Sequence, residues 1–328
     1  MKMAEILFLS RPEIEALLSL KEVIPVIESG FAQDAESEVL TFPVVREPLE
    51  DTGGIFGIKS GYLPKKKLLG YKAGGYWKDN PEKGLPGHQS LIILYHPETG
   101  IAKAVMDGNF ITVIRTGAAG AIAAKYLARK DSKRLGVVGT GVQGRIQTLA
   151  LREVVSLEAV VFFDESRKAR EEFQRQMEPQ FSSVKVARDV EEAVAGSDIV
   201  ITATPSFHFV VRAEWVKPGT HINAIGADTR GKQELEPNLL PKVKIVVDNR
   251  VQSRTIGECQ HAIRLGLIGD PNIHAELGEI VLGKKNGRTS PEEITLFDAT
   301  GVAFQDLIAA GLAYDLALST NVGQRLVI

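Results

Sequence analysis

One cysteine, two tryptophans and an aromatic share of 6% are the scarcest features of these 328 residues. A single thiol, Cys259, excludes an intrachain disulfide framework and fits a reducing compartment, so the cytoplasm is the expected location. Long apolar runs are missing as well. No stretch approaches the ~20 residues that cross a bilayer, and the run from Ile6 to Leu9 ahead of Ser10 is too short for a signal-peptide core. Charge of one sign is absent too, since 39 Lys and Arg stand against 41 Asp and Glu for a formal net charge of −2. This balance gives no global field toward nucleic acid or an anionic membrane, so neither is expected as a partner and a small molecule is. What is present is 44% hydrophobic residues, enough to fill two cores in a chain of this length.

The chain changes texture twice. "EILFLS" followed by "RPEIEALL" predicts a strand and then a helix, with Ser10 accepting from first-turn amides and Glu13 three residues on. "LKEVIPVIESGFAQ" continues in helical period, with Pro25 expected to break or bend it. Between Thr41 and Asp107, short β-type runs split by glycine and proline predict a mainly antiparallel sheet. "NFITVIRTGAAGAIAAKYLARK" predicts a long alanine-rich helix over Thr112–Arg129 that joins two domains. From Arg134 onward, apolar runs of five or six residues alternate with helices, as in a parallel sheet covered on both faces. Seven strands are expected there: "RLGVVGT", "AVVFFD", "VKVA", "DIVITATPS", "HINAIGAD", "KIVVDN" and "ITLFDAT". The last helix, "GVAFQDLIAAGLAYDLALS", is apolar on more than one face, and its end is expected to pack on the first domain or on a partner subunit.

"LGVVGTGVQGRIQ" sets Gly139, Gly141 and Gly144 in the G-x-G-x-x-G spacing, directly after an apolar strand and at a helix start. Glycine permits the tight turn and close backbone approach to a pyrophosphate, whose negative charge meets free amides at the helix N-terminus. Asp164 ends the next strand, where a carboxylate binds adenosine ribose hydroxyls and repels a 2′-phosphate. This favours NAD(H) over NADP(H), although Arg167 lies close enough in sequence to receive a phosphate. In the first domain, Arg46, Lys59, Lys72 and Arg115 are each cations set among apolar or small residues. A buried cation is costly unless paired, so four in such settings predict a carboxylate-receiving site.

The ordered set "YKAGGYW", "HPETG", "VIRTGAAGAIAAKYLAR", "GVVGTGVQG", "GADTRGKQEL" and "FDATGVAFQD" resembles the ornithine cyclodeaminase and mu-crystallin family along nearly the whole chain. The resemblance implies an α/β protein with two parts. A Rossmann-type, doubly wound parallel-sheet domain (116–311) binds the nicotinamide cofactor, and an α+β domain (1–115 and 312–328) handles substrate binding and homodimerisation. It implies that Arg46, Lys72 and Arg115 hold a substrate carboxylate, and that Asp228, after the fifth parallel strand, is the general acid/base. Thr116, Thr140, Val142, Gln143, Thr204, Lys232, Asp298 and Thr300 join the glycines and Asp164 as expected cofactor contacts.

The family includes cyclodeaminases, alanine dehydrogenases, ketimine and pyrroline-2-carboxylate reductases, iminosuccinate reductase and crystallin-type binders of nicotinamide. Its cyclodeaminases carry a glutamate on the second sheet strand, whereas no acid occurs from Gly53 to Tyr62. That departure, with "FPVVREP", "GIKSGY", "KAGGYW" and "IGECQHAI", makes the chain most similar to the iminosuccinate reductase branch. The expected reaction is NADH-dependent reduction of an imino acid to an L-amino acid, with Lys59 receiving a second carboxylate. No metal is expected, because the spacing of Glu258, Cys259 and His261 fits no zinc signature. Cys259 lacks a clear partner for nucleophilic work, and His88 reads as a structural histidine.

Overall fold

The computed structural model describes residues 5–327, so the first four residues of the amino-terminal segment discussed above lie outside the described residues. The chain divides into two compact units, Met1–Arg115 with Val302–Ile328, and Thr116–Gly301.

The first unit begins with β1 (Glu5–Leu9), α1 (Arg11–Leu17), α2 (Leu20–Ala35), β2 (Leu40–Thr41) and β3 (Val45–Leu49). It continues through β4 (Gly54–Leu63), β5 (Leu68–Trp77), β6 (His88–Tyr95), β7 (Ala102–Asp107) and the first part of α3 (Gly108–Leu127). The strands run in the order β1-β7-β6-β5-β4-β2, with β3 also paired to β4; only the β1–β7 pair among these is parallel. Ser10 is the N-cap of α1 and forms a capping box with Glu13, whose Oε2 accepts the Ser10 amide and hydroxyl at 2.7 and 2.6 Å. Pro25 does not break α2, which continues through it to Ala35. α3 starts four residues before the expected Thr112, because Oδ1 of Asp107 accepts the amides of Asn109 and Phe110 at 3.1 and 3.2 Å and caps the earlier turn.

The second unit carries β8 (Arg134–Val138), α4 (Val142–Arg152), β9 (Ala159–Phe163), α5 (Arg167–Met177), β10 (Ser183–Val186), α6 (Val190–Val194), β11 (Ile199–Thr202) and β12 (His221–Ala224). β13 (Lys244–Val247), α7 (Arg250–Thr255), α8 (Cys259–Arg264), β14 (Ile273–Glu276), α9 (Leu277–Val281) and β15 (Thr295–Asp298) complete it. All eight strands are parallel, in the order β10-β9-β8-β11-β12-β15-β13-β14. The chain builds outward from β8 in one direction, then returns to its other side with β11, which makes a doubly wound sheet. Ligands of such sheets bind beyond the carboxyl ends of strands at that reversal. β14 was not foreseen: "IHAE" is a four-residue edge strand with alternating burial rather than an apolar run.

The chain then rejoins the first unit as α10 (Ala303–Thr320) and β16 (Gln324–Val327), which pairs with β1. The expected boundary at 311/312 is therefore corrected to 301/302. The reason is packing: a Cβ on Gly70 of β5 would lie 3.1 Å from Leu307, and one on Gly30 of α2 would lie 2.3 Å from Ile308. Phe304 meets Phe31 edge-on at 5.2 Å, so the first turns of α10 already belong to this core.

Candidate active site

In the first unit, strand register places three of the four cations on one face of the sheet. Arg46 stands opposite Gly57, and Lys59, two residues on, stands directly opposite Lys72. Side chains alternate along a strand, so these three share the face over which α10 runs. Arg46 and Lys59 are half-buried, whereas Lys72 and Arg115 are buried.

The buried pair is answered by an acid that sequence reading passed over. Nζ of Lys72 lies 3.0 and 2.9 Å from the two carboxylate oxygens of Asp306 and 3.0 Å from the hydroxyl of Thr112. Arg115 donates from Nε to Oδ1 of Asp306 at 2.9 Å and from Nη1 to Oε1 of Gln305 at 2.8 Å. Burial lowers the Lys72 ammonium to about 7; Asp306 opposes that shift, while the charges of Arg115 and Lys59 add to it. Burial pushes the Asp306 carboxyl up, but Arg115, then Lys72 and Lys59, bring it below the usual range. His88 is lowered to about 4 by burial and then by Lys72, so it is neutral at pH 7, and its Nδ1 lies 3.3 Å from Oδ1 of Asn109.

In the second unit, the loop between β8 and α4 is set by its glycines. Gly139 has φ +92°, and a Cβ there would lie 2.5 Å from the carbonyl of Ala203. A Cβ on Gly144 would lie 2.0 Å from the carbonyl of Gly139, so this position must be bare for α4 to seat on the loop. Gly141 differs, since a Cβ there meets no atom within 4 Å. Its backbone faces open space at the N-cap of α4, which fits a pyrophosphate seated on the helix amides. Asp164, just past β9, receives the amide and hydroxyl of Thr140 at 2.7 and 3.1 Å and the amide of Ser166 at 2.9 Å. A carboxylate has about four lone-pair sites, so capacity remains for ribose hydroxyls. Val142 is exposed and Gln143 half-buried at the first turn of α4, and the carbonyl of buried Thr116 accepts from Gln147 at 2.7 Å.

Beyond β12, Asp228 is partly exposed and its Oδ1 accepts from Lys232 Nζ at 2.8 Å and from the Thr229 hydroxyl at 3.1 Å. The same loop is tied to α8. Oε1 of Gln260 accepts the amide of Gly231 at 2.7 Å, and its Nε2 donates to the carbonyls of Lys232 and Thr229 at 3.2 and 3.3 Å. Beneath it, the buried carboxyl of Glu234 accepts from Thr202 at 2.8 Å, the amide of Gly226 at 2.7 Å and the amide of Thr204 at 2.5 Å. Glu234 therefore fastens the ends of β11 and β12 together. Glu258 in turn receives the amides of Glu234 and Leu235. Burial raises both carboxyls, and Glu258 is raised further by Glu234 and Asp298. Sequence reading missed Gln260, Glu234 and Asp306, although Glu234 and Asp306 sit inside the diagnostic stretches "GADTRGKQEL" and "FDATGVAFQD".

Two further expected cofactor contacts, Asp298 and Thr300, are buried at the end of β15. Asp298 is fully buried, accepting from the Ser253 hydroxyl and the Cys259 amide, and burial raises its carboxyl to about 7. The Thr300 hydroxyl donates to Asp248 at 2.7 Å and does not cap α10, whose N-cap is Val302. Cys259 is buried, which raises its thiol well above the usual range and disfavours the thiolate a nucleophile needs. Among the described residues, no cluster of three His, Cys, Asp or Glu is placed to hold a metal ion.

Known proteins are similar to this chain along nearly its whole length. An alanine dehydrogenase of Archaeoglobus fulgidus is 44% identical over 98% of both chains. An iminosuccinate reductase of Paracoccus denitrificans is 39% identical over 97% of this chain and 98% of its own. A solved archaeal alanine dehydrogenase dimer with bound NAD superposes with a TM-score of 0.94 at 43% identity, covering 98% of this chain and 99% of that one. Residues 4–321 match the ornithine cyclodeaminase/mu-crystallin family, and the chain belongs to it.

Proposed function

We propose that the protein is an NAD(H)-dependent oxidoreductase that reduces the imine of an α-imino acid to an L-amino acid, with iminosuccinate, giving L-aspartate, as its substrate. The observation that carries this reading is the cationic face of the first unit, where Lys59 stands opposite Lys72 in a site that also has Arg46 and Arg115. Arg46, Lys72 and Arg115 hold the α-carboxylate, and Lys59 takes the distal one. β4, which supplies Lys59, has no acid along its length, which speaks against ornithine ring closure.

On the second unit, the backbone of Gly139, Thr140, Gly141, Val142, Gln143 and Gly144 would hold the cofactor pyrophosphate, and Asp164 the adenosine ribose. Thr116, Thr204 and Lys232 would meet the nicotinamide end. Arg167, largely exposed and already paired with Glu171 at 2.7 Å, is poorly placed to favour a 2′-phosphate, so NAD(H) is the preferred form. When bound, the reduced nicotinamide supplies the hydride. Asp228 supplies the charge that keeps the imine protonated, and a protonated imine is the better acceptor; in reverse it takes a proton from the ammonium. Lys232 and Thr229 hold its Oδ1. The carboxylate grip contributes proximity and orientation to the transfer.

A second reading has its own support: the greater identity to an alanine dehydrogenase favours the imine of pyruvate. Both are separated by NADH oxidation with oxaloacetate plus ammonia, pyruvate plus ammonia, and pyrroline-2-carboxylate, beside an ornithine assay. The highest kcat/KM is expected with the dicarboxylate. Preference for pyruvate would transfer the assignment to alanine, and NADH binding without turnover on any of these would make the chain a binder.

We further propose a homodimer. The sheet face away from α10 carries a cross-strand row of Val45, Ile58, Ala73 and Leu91, beside Tyr71, Ile93 and Val105. Leu91 is 50% exposed and Val45 45% exposed. An apolar face this broad marks a protein interface, and a second copy is the occupant favoured by the dimeric relative.

A further inference from the structure

Gln305 is fully buried on α10 beside Asp306. Its Oε1 accepts from Nη1 of Arg115. A guanidinium can only donate, so this bond fixes which end of the amide is oxygen and sends Nε2 the other way. That nitrogen is buried and has no hydrogen-bond partner. Leaving a buried amide donor unanswered is unfavourable, and a Met or Leu side chain would fill similar space without that penalty. The orphan donor lies at the residue that grips Arg115, in the group of side chains read above as the carboxylate site.

Arg115 uses Nε on Asp306 and Nη1 on Gln305, which leaves Nη2. A carboxylate presents two oxygens and about four lone-pair sites, and it is satisfied best by two parallel donors. We infer that Gln305 is a substrate-binding residue whose Nε2 donates to the substrate carboxylate alongside Arg115. A neutral donor suits this place. Asp306 already offsets part of the local positive charge, and an amide adds a directed hydrogen bond without burying another ion. Gln305 thus does two things with one side chain: its oxygen holds the arginine, and its nitrogen completes the grip on the anion.

This inference rests on the imino-acid reading above, so the wild-type enzyme is assayed first. If it reduces no carboxylate-bearing imine, that reading fails and this one with it. If it does, Gln305→Glu separates the two roles of the side chain. A glutamate still accepts from Arg115 but turns an oxygen, not a donor, toward the substrate. The expected result is a KM for the imine raised roughly 10- to 100-fold, the loss of a hydrogen bond to a charged group. NADH affinity should stay at the wild-type level, whereas Tm should fall with the cost of a second buried carboxylate. A wild-type KM in a folded Gln305→Glu protein would make Gln305 only a support for Arg115 and overturn the inference. Should that variant fail to fold, a crystal structure of the wild-type enzyme with NAD⁺ and the amino-acid product decides. Nε2 within hydrogen-bond distance of a product carboxylate oxygen supports the assignment, and Nε2 bonded to water or left apart from the product overturns it.

Discussion

Lys72 is tolerated in a sheet interior because Asp306 answers its charge, and that balance makes its protonation responsive near neutral pH. With burial holding the ammonium at about 7, the lysine loses its proton as pH rises through that value, and a bound carboxylate loses a partner. The inhibition constant of succinate, which stays dianionic from pH 7 upward, is expected to weaken between pH 7 and 9. Lys72→Arg, which does not titrate there, should flatten that limb, and a flat wild-type profile would refute the account. The sign for stability is the reverse. An unfolded lysine holds its proton up to about 10.5, so between 7 and 10.5 the unfolded chain binds more protons and this group's contribution to stability rises with pH.

Asp228 is tested by Asp228→Asn, expected to lower kcat by about 10²- to 10⁴-fold with NADH affinity unchanged. An unaltered kcat removes it from the chemistry. The cations and Asp228 were legible in the sequence because their oddity is local: a charge inside an apolar run, or an acid after a strand. Asp306 was not, because an acid in the first turn of a helix looks like ordinary capping. Its partners lie 191 and 234 residues away, a pairing only tertiary structure creates.

At the scale of the element, β8, the glycine loop and α4 were readable because one short window holds the strand, turn and helix signals together. β14 was not, since four residues of alternating burial at a sheet edge produce no apolar run. The two later glycines of the loop lead to opposite expectations. Gly144→Ala puts a methyl 2.0 Å from the carbonyl of Gly139, so α4 must shift, at a cost of about 1–3 kcal/mol seen as a lowered Tm. Gly141→Ala meets no protein atom, and its φ of −65° suits alanine, so Tm should hold. NADH should nonetheless bind at least tenfold more weakly, because the methyl stands where the pyrophosphate approaches. Calorimetry with and without NADH reads both. A Gly141→Ala protein with wild-type NADH affinity would place the pyrophosphate elsewhere.

At the scale of the molecule, sequence texture located the change of unit at residue 115 but put the return at 312, ten residues late. The helical pattern of α10 is continuous, and nothing in an apolar helix announces which core its first turns enter. Packing against Gly30, Gly70 and Phe31 decides it. The same limit applies to the sheet of the first unit, where alternation gives two faces but not what covers each. One is covered by α10, while the other leaves Leu40, Val45, Phe56 and Leu91 between 38% and 52% exposed. Sedimentation of the wild-type protein should therefore report twice the chain mass. Leu91→Glu puts a charge in the middle of the Val45, Ile58, Ala73 and Leu91 row, and burying it unpaired would cost several kcal/mol. The variant should sediment at the mass of one chain with its far-ultraviolet circular dichroism unchanged, because residue 91 points away from the core of its own unit. If Leu91→Glu remains dimeric, the interface lies on another surface, and this face requires a different partner.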